Sequence, residues 1–370
     1  MLLRQVCYLR SHKFLTTTNG GGFNMTDNKA WLQRDLLEQH SVDMRQFIDF
    51  RHATLPNGMR IIDTHNSSGV SYTILPDRGL DIWSATYNGI PLTWLSQGSP
   101  MPPDFGRKWL QQFNGGLLVT CGLTHAGHPE NDIESGEYRD LHGHFSRLRA
   151  TDITTNGVWH GDDYVLDLTG VIVEGELFGP QLRLTRTYRQ TLGQPTIEVI
   201  DTIENRGDTT HPLMLLYHLN PGYPLIREGV QLHTPYEQVY PFNNIARAGL
   251  DRWPVYDAAT PQYVEQVFLH HLKQDDTGMT EVVLASDDFG LSFAWPLRDM
   301  PYLTQWKNVR QGIYVCGVEP GNCVPEGLNK ARDSGRVVML EPGATASGRV
   351  LMTVLDGAEA VADAKARVDE

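Results

Sequence analysis

LRLTRTYRQT, Leu182 to Thr191, and TIEVIDTIEN, Thr196 to Asn205, carry the fold in their spacing. In both runs apolar and polar residues alternate, and the link between them holds Gly193 and Pro195. Successive side chains on a strand point to opposite faces, so alternation bounded by turn formers marks half-buried antiparallel strands. The same texture recurs after Arg51, in MRIIDT (59–64), VSYTIL (70–75), LDIWSATY (80–87) and YVLDLTGVIVEG (164–175). It continues in TEVVLASD (280–287), LSFAW (291–295), IYVCGV (313–318), RVVML (336–340) and ASGRVLMTVLD (346–356). No long amphipathic helix separates these runs, which argues against a parallel βαβ sheet and for a large all-β sandwich or barrel. No fixed-period repeat is present, which disfavours a propeller or a solenoid.

The strand-rich region has no linker and reads as one domain over residues 51–357. Residues 25–50, with the helix-like spacing of KAWLQRDLLEQHSVDMRQFI, read as a short helical arm, and 358–370 as a terminal helix or tail. Residues 1–24 are basic, carry no acid and lack the apolar core of a secretory signal. They are expected to be a non-native or disordered extension, with translation starting at Met25; a transit-like segment is the second reading.

The chain has 370 residues, with 31 Lys and Arg against 44 Asp and Glu for a net charge of −13. It has no basic stripe with interleaved aromatics, so nucleic acid is not an expected partner. No apolar run reaches the ~20 residues that span a bilayer, and no membrane partner is expected. The cysteines, Cys7, Cys121, Cys316 and Cys323, are too few and too widely spaced for a disulfide framework or a zinc knuckle. A cytoplasmic setting is the simplest expectation.

Four of the 14 histidines fall in GLTHAGHPENDIESGEYRDLHGHFSRL, residues 122–148. His125 and His128 are three apart, and His142 and His144 are two apart, a spacing that puts both on one face of a strand. With Glu130 or Glu137 nearby they could hold a zinc or manganese ion, contact sugar hydroxyls, or decorate a surface. In LMLLYHLNPGYPL (213–225), His218 follows an apolar run and must find a partner if buried. It is either a satisfied core histidine or an acid or base facing a cleft. In YVCGVEPGNCVPEG (314–327), Glu319 ends a strand-like run that Pro320 and Gly321 turn away. It is either a solvated turn residue or a fixed carboxylate whose pKa partial burial raises. Arg78 and Asp81 in ILPDRGLDIW either meet a ligand oxygen or brace a turn.

Taken in order, these stretches resemble the aldose 1-epimerase (galactose mutarotase-like) family, in one of its uncharacterised branches known only as a domain of unknown function. LPDRGLDIWSATYNGIPLTWLS is similar to that family's opening hairpin, and FNGGLLVTCGL to the Gly-Gly strand before the site loop. LHGHFSRL resembles the segment whose histidine contacts the sugar, a role that maps onto His142. LLYHLNPGYPL resembles the strand of the general-acid histidine, mapping onto His218, and IYVCGVEPGN that of the catalytic glutamate, mapping onto Glu319. The similarity spans roughly 51–356. The Gly-Arg-x-x-Asn-Arg segment of the galactose branch is absent, and His218 is followed by Leu-Asn-Pro where that branch has Ser-Tyr-Phe-Asn.

The resemblance implies a β-supersandwich with an open cleft for a monosaccharide or sugar derivative. It also implies interconversion of anomers through ring opening, with Glu319 as base, His218 as acid and no cofactor or metal. His142, Asn114, His125, Arg78, Lys307 and His144 are expected to hold sugar hydroxyls, and Trp306 to stack on the ring. Two other readings stay open: a non-catalytic carbohydrate-binding or sensing protein, and a metal-assisted sugar isomerase, epimerase or lyase using His125, His128, His142 and His144. The sequence leaves monomer and homodimer equally open.

Overall fold

A computed structural model describes residues 29–98 and 100–369. The expectations for residues 1–24 and for the start at Met25 lie outside the described residues. The arm consists of a 3-10 turn at Lys29–Leu32, an α-helix at Arg34–His40 and a second 3-10 turn at Met44–Gln46. The first strand follows at Asp49–Thr54.

Two large antiparallel sheets make the body of a β-supersandwich. The first, the site sheet, runs from edge to edge through Asp49–Thr54, Arg60–His65, Val70–Leu75, Asp81–Tyr87 and Leu118–Cys121. It continues through Leu216–Leu219, Ile313–Gly321, Tyr302–Arg310, Gln266–Leu272 and Tyr236–Pro241. The second, the backing sheet, runs through Gln231–His233, Met279–Ala285, Phe289–Pro296, Thr345–Asp356, Thr196–Asn205, Gln181–Thr191, Asp163–Gly175 and Thr151–His160. Leu182–Thr191 and Thr196–Asn205 are neighbours in that sheet, with Leu184 opposite Ile203 and Tyr188 opposite Val199. Along the first of them, burial alternates residue by residue, as the sequence pattern requires.

One apolar core lies between the sheets. Ile62, Ile74, Leu118 and Tyr217 of the site sheet pack into the same cluster as Leu184, Tyr188, Val199 and Phe293 of the backing sheet. Through this core passes a buried ionic link. The Arg186 guanidinium on the backing sheet donates to Asp201 at 2.7 Å, to Asp81 at 2.8 Å and to the Thr120 hydroxyl at 2.8 Å. Asp81 and Thr120 belong to the site sheet, as does Tyr217, whose hydroxyl donates to Asp201 at 2.6 Å. Burial pushes the Asp81 carboxyl up to about 6 while Arg186 and Thr120 pull the other way. The C-terminal helix, Ala358–Asp369, closes the body by packing Val361, Ala364 and Val368 on Val283, Ala285 and Leu355.

Candidate active site

Strand register brings the central side chains together. Leu216 pairs with Gly321 and Leu219 with Val318, so His218 stands opposite Glu319, and Glu319 pairs on its other side with Thr304. Three consecutive strands thus set His218, Glu319 and Thr304 in one row on the outer face of the site sheet. His218 Nε2 lies 3.2 Å from Glu319 Oε1, and both side chains are buried. In the next row Trp306 pairs with Gly317 and Val267. A Cβ on Gly317 would fall 2.6 Å from Glu319 Oε1 and 2.7 Å from Trp306 Cβ, so only glycine lets carboxylate and indole sit side by side.

These rows form part of the floor of a cleft of about 1070 Å³. Trp94, Trp109, Phe113 and His142 also line it, as do Phe242, Glu265 and Val267. Around His218 the rings form a closed circuit. His218 meets Trp306 at 5.5 Å, Trp306 meets Trp94 at 6.0 Å, and Trp94 meets Phe113 at 5.7 Å between centroids. Phe113 stacks on Trp109 at 4.3 Å, Trp109 meets His142 at 5.1 Å, and His142 returns to His218 at 5.8 Å. The Trp306 indole N–H donates to Glu265 at 2.7 Å, which fixes the plane of the ring.

Burial governs the electrostatics. It pushes the Glu319 carboxyl up to about 8, with the charge of Glu265 adding to the effect. It pushes the His218 imidazole down to about 4, against a contact from the Asn220 side chain. The two groups therefore hold one proton between them over a broad middle range of pH, with the neutral arrangement (proton on Glu319) favoured at rest. Burial, and then the neighbouring His218, holds His142 well below the ordinary imidazole range. Among the described residues, Thr304 Oγ1 and His142 Nδ1 are buried without a hydrogen-bond partner, the condition of groups that a ligand can satisfy.

The structure gathers His142, His218, Trp306 and Glu319 at the cleft, together with His128. It sets the other expected residues elsewhere. Lys307 follows Trp306 on a strand and so points to the opposite side, where its ammonium donates to the carbonyls of Arg252 and Val255. The Arg78 guanidinium is buried and donates to the carbonyls of Ser146 and Gln112, bracing two loops. Asn114 donates to the Gly115 carbonyl. His125 is buried outside the cleft lining, its Nε2 3.0 Å from the His128 carbonyl and its Nδ1 3.6 Å from Glu130. His144 contacts Arg147 and Phe105.

His125, His128, His142 and His144 thus face different partners. Among the described residues no group of three or more His, Cys, Asp or Glu is arranged to hold a metal ion. Sequence reasoning missed Trp94, Trp109, Phe113, Glu265, Thr304 and Asn308. Period-two counting from Trp306 finds Thr304 and Asn308, whereas Glu265 lies in an irregular stretch with no signal of its own.

The family model described as Domain of unknown function (DUF4432) matches residues 56–354. The chain belongs to this family. No curated protein matches the sequence. The DUF4432 chain is similar to a solved structure of a putative aldose 1-epimerase from Klebsiella pneumoniae subsp. pneumoniae, at 26% identity and a TM-score of 0.80. That match covers 87% of this chain and 88% of the other. A galactose mutarotase-like protein from Clostridium acetobutylicum is similar at 13% identity and TM-score 0.59, covering 84% and 99% of the two chains. The galactose 1-epimerase of Lactobacillus acidophilus is similar at 12% identity and TM-score 0.54, again covering 84% and 99%. The last two likenesses concern the fold alone. The DUF4432 chain therefore has the mutarotase-like β-supersandwich, and its aromatic cleft lies on the outer face of one sheet.

Proposed function

We propose that this protein interconverts the anomers of an aldose by general acid–base catalysis, with Glu319 and His218 as the working pair. The observation that carries the reading is their adjacency: opposed on neighbouring strands, 3.2 Å apart, on the floor of an aromatic-walled cleft. Mutarotation opens a cyclic hemiacetal by removing the proton of the anomeric hydroxyl and protonating the ring oxygen. Both oxygens are bonded to C1, so the groups that serve them must themselves be neighbours.

The shared proton suits a reaction that retraces its path. With the proton on His218, Glu319 takes the hydroxyl proton while His218 protonates the ring oxygen, the C1–O5 bond breaks, and an aldehyde forms. The proton is then on Glu319. After rotation about C1–C2, His218 takes a proton from the C5 hydroxyl, Glu319 returns one to the aldehyde oxygen, and the ring closes on the other face. Burial favours the neutral pair, so the resting pair is set for closure and a proton must cross to His218 before opening. His142 and Thr304 supply polar contacts to sugar hydroxyls, and Trp306 and Trp94 an apolar face for the ring. The substrate class is a monosaccharide or sugar derivative, and the protein acts as an isomerase.

Exchange of anomers is measured by polarimetry or exchange NMR on a panel of aldoses, with the spontaneous rate subtracted. Glu319→Gln is expected to lower the enzymatic rate by ~10²–10⁴-fold, the usual worth of a general base, while the protein stays folded. A wild-type rate in that variant removes Glu319 from the mechanism.

A further inference from the structure

The cleft is much longer than one sugar ring placed at Glu319 requires. Thr304, Trp306, Asn308 and Arg310, every second residue of one strand, all line it, and so do Glu319 and Ile313 at opposite ends of the next strand. Six residues of strand at ~3.3 Å each give a floor about 20 Å long. A pyranose ring made of ~1.5 Å bonds covers roughly a third of that with its hydroxyls.

The catalytic pair sits at one end of the floor, level with Thr304. Trp306 and its partner Trp94 stand next along it, and beyond them the cleft continues over Asn308 to Arg310. Ile313 stands opposite Arg310 at this outer end, and Leu95 and Leu110, large apolar side chains 45% and 72% exposed, also line the cleft. At its end stands Arg310, an exposed guanidinium. Exposed apolar side chains beside hydrogen-bonding groups match a pyranose, which has an apolar C–H face and an edge of hydroxyls.

We propose that this outer part is a second sugar subsite, and that the substrate is a sugar derivative that carries a second ring, an oligosaccharide bound by its reducing end, in preference to a free hexose. The reducing ring lies over His218 and Glu319, and the next ring lies over Asn308, toward Arg310 and Ile313. The chemistry assumed at the inner ring rests on the anomer-exchange reading above, but the subsite is tested by binding alone.

Full-length protein is titrated by calorimetry with glucose and galactose, and with maltose, cellobiose, lactose and melibiose. The same series is run on Ile313→Ser, Arg310→Ala and the double variant, whose positions pair at the outer end of the floor and whose folding is checked by circular dichroism. At least one disaccharide is expected to bind ~10-fold or more tightly than its parent hexose, the scale of one good apolar contact. The double variant is expected to reduce that advantage several-fold. Equal affinities for hexoses and every disaccharide, no binding of any of them, or an advantage unchanged in the double variant overturns the subsite. A disaccharide advantage without anomer exchange on any sugar rejects the mutarotase reading and leaves the subsite standing. Exchange on hexoses without a disaccharide advantage does the reverse.

Discussion

Glu319 and His218 are ordinary residues made useful by where they are buried. Desolvation opposes the charged form of each, so it raises the acid and lowers the base, and the shifts diverge around one shared proton. The sign of the pH dependence follows. Below about 4 the pair carries two protons and has no base; above about 8 it carries none and has no acid. The kcat/KM for anomer exchange is therefore expected to be bell-shaped with limbs near those values, and a profile without an alkaline limb would remove Glu319 from the pair. Glu265 offers a sharper test, because its charge is the second cause of the raised Glu319 pKa. Glu265→Gln keeps an acceptor for the Trp306 indole while removing that charge, so the alkaline limb should move toward lower pH. A limb that stays in place separates Glu265 from the tuning of Glu319.

At the scale of an element, the Tyr302–Arg310 strand and its neighbour Ile313–Gly321 build most of the floor, and Gly317 is the position on which their contact depends. A methyl at Gly317 would overlap both the Glu319 carboxylate and the Trp306 side chain. Overpacking of this kind costs ~1–3 kcal/mol and is relieved most easily by swinging the carboxylate away. Gly317→Ala is thus expected to cut kcat by at least ~10-fold with a small loss in urea midpoint, and unchanged kcat would show that the carboxylate is not held there.

This strand pair also marks the limit of what the sequence reveals. Ile313–Gly321 was legible from the apolar run IYVCGV ending in Pro and Gly, whereas Tyr302–Arg310 was not among the strand-like runs. His142, His218 and Glu319 were legible by resemblance and order, and the structure places all three at the cleft. Lys307 was grouped with Trp306 as a sugar contact, although neighbours on a strand face opposite ways. Arg78, Asn114 and His125 look alike in sequence whether they face a ligand or a backbone carbonyl, because the loops that decide this are assembled from distant segments. Glu265 was invisible for the same reason: only pairing with the Trp306 strand brings it to the cleft.

On the scale of the whole molecule, the all-β class was readable from alternation and the supersandwich from resemblance, but the link that fastens its two sheets was not. Arg186 and Asp201 occupy inward positions in strands whose pattern predicts apolar residues there, and both are buried completely. With Asp81 and Tyr217 they tie the backing sheet to the strands that hold the site. Removing the arginine alone leaves two carboxylates buried without a counter-charge, which costs about 3–5 kcal/mol. Arg186→Met should lower the urea midpoint accordingly, and adding Asp201→Asn should recover part of the loss, since coupled neighbours are not additive. An Arg186→Met protein as resistant to urea as wild type would show that the sheets are held by apolar packing alone.

The alternation along Tyr302–Arg310 also bears on how such a protein can change over generations. Its odd-numbered side chains, Leu303, Gln305, Lys307 and Val309, are all buried, away from the cleft, while Thr304, Trp306, Asn308 and Arg310 meet the ligand space. A point substitution at an even position alters the face that meets the ligand and leaves the core between the sheets in place. A one-residue deletion exchanges the two sets and presents Lys307 where Trp306 stood. Substitutions can therefore retune the ligand a step at a time, whereas insertions and deletions within this strand would be purged.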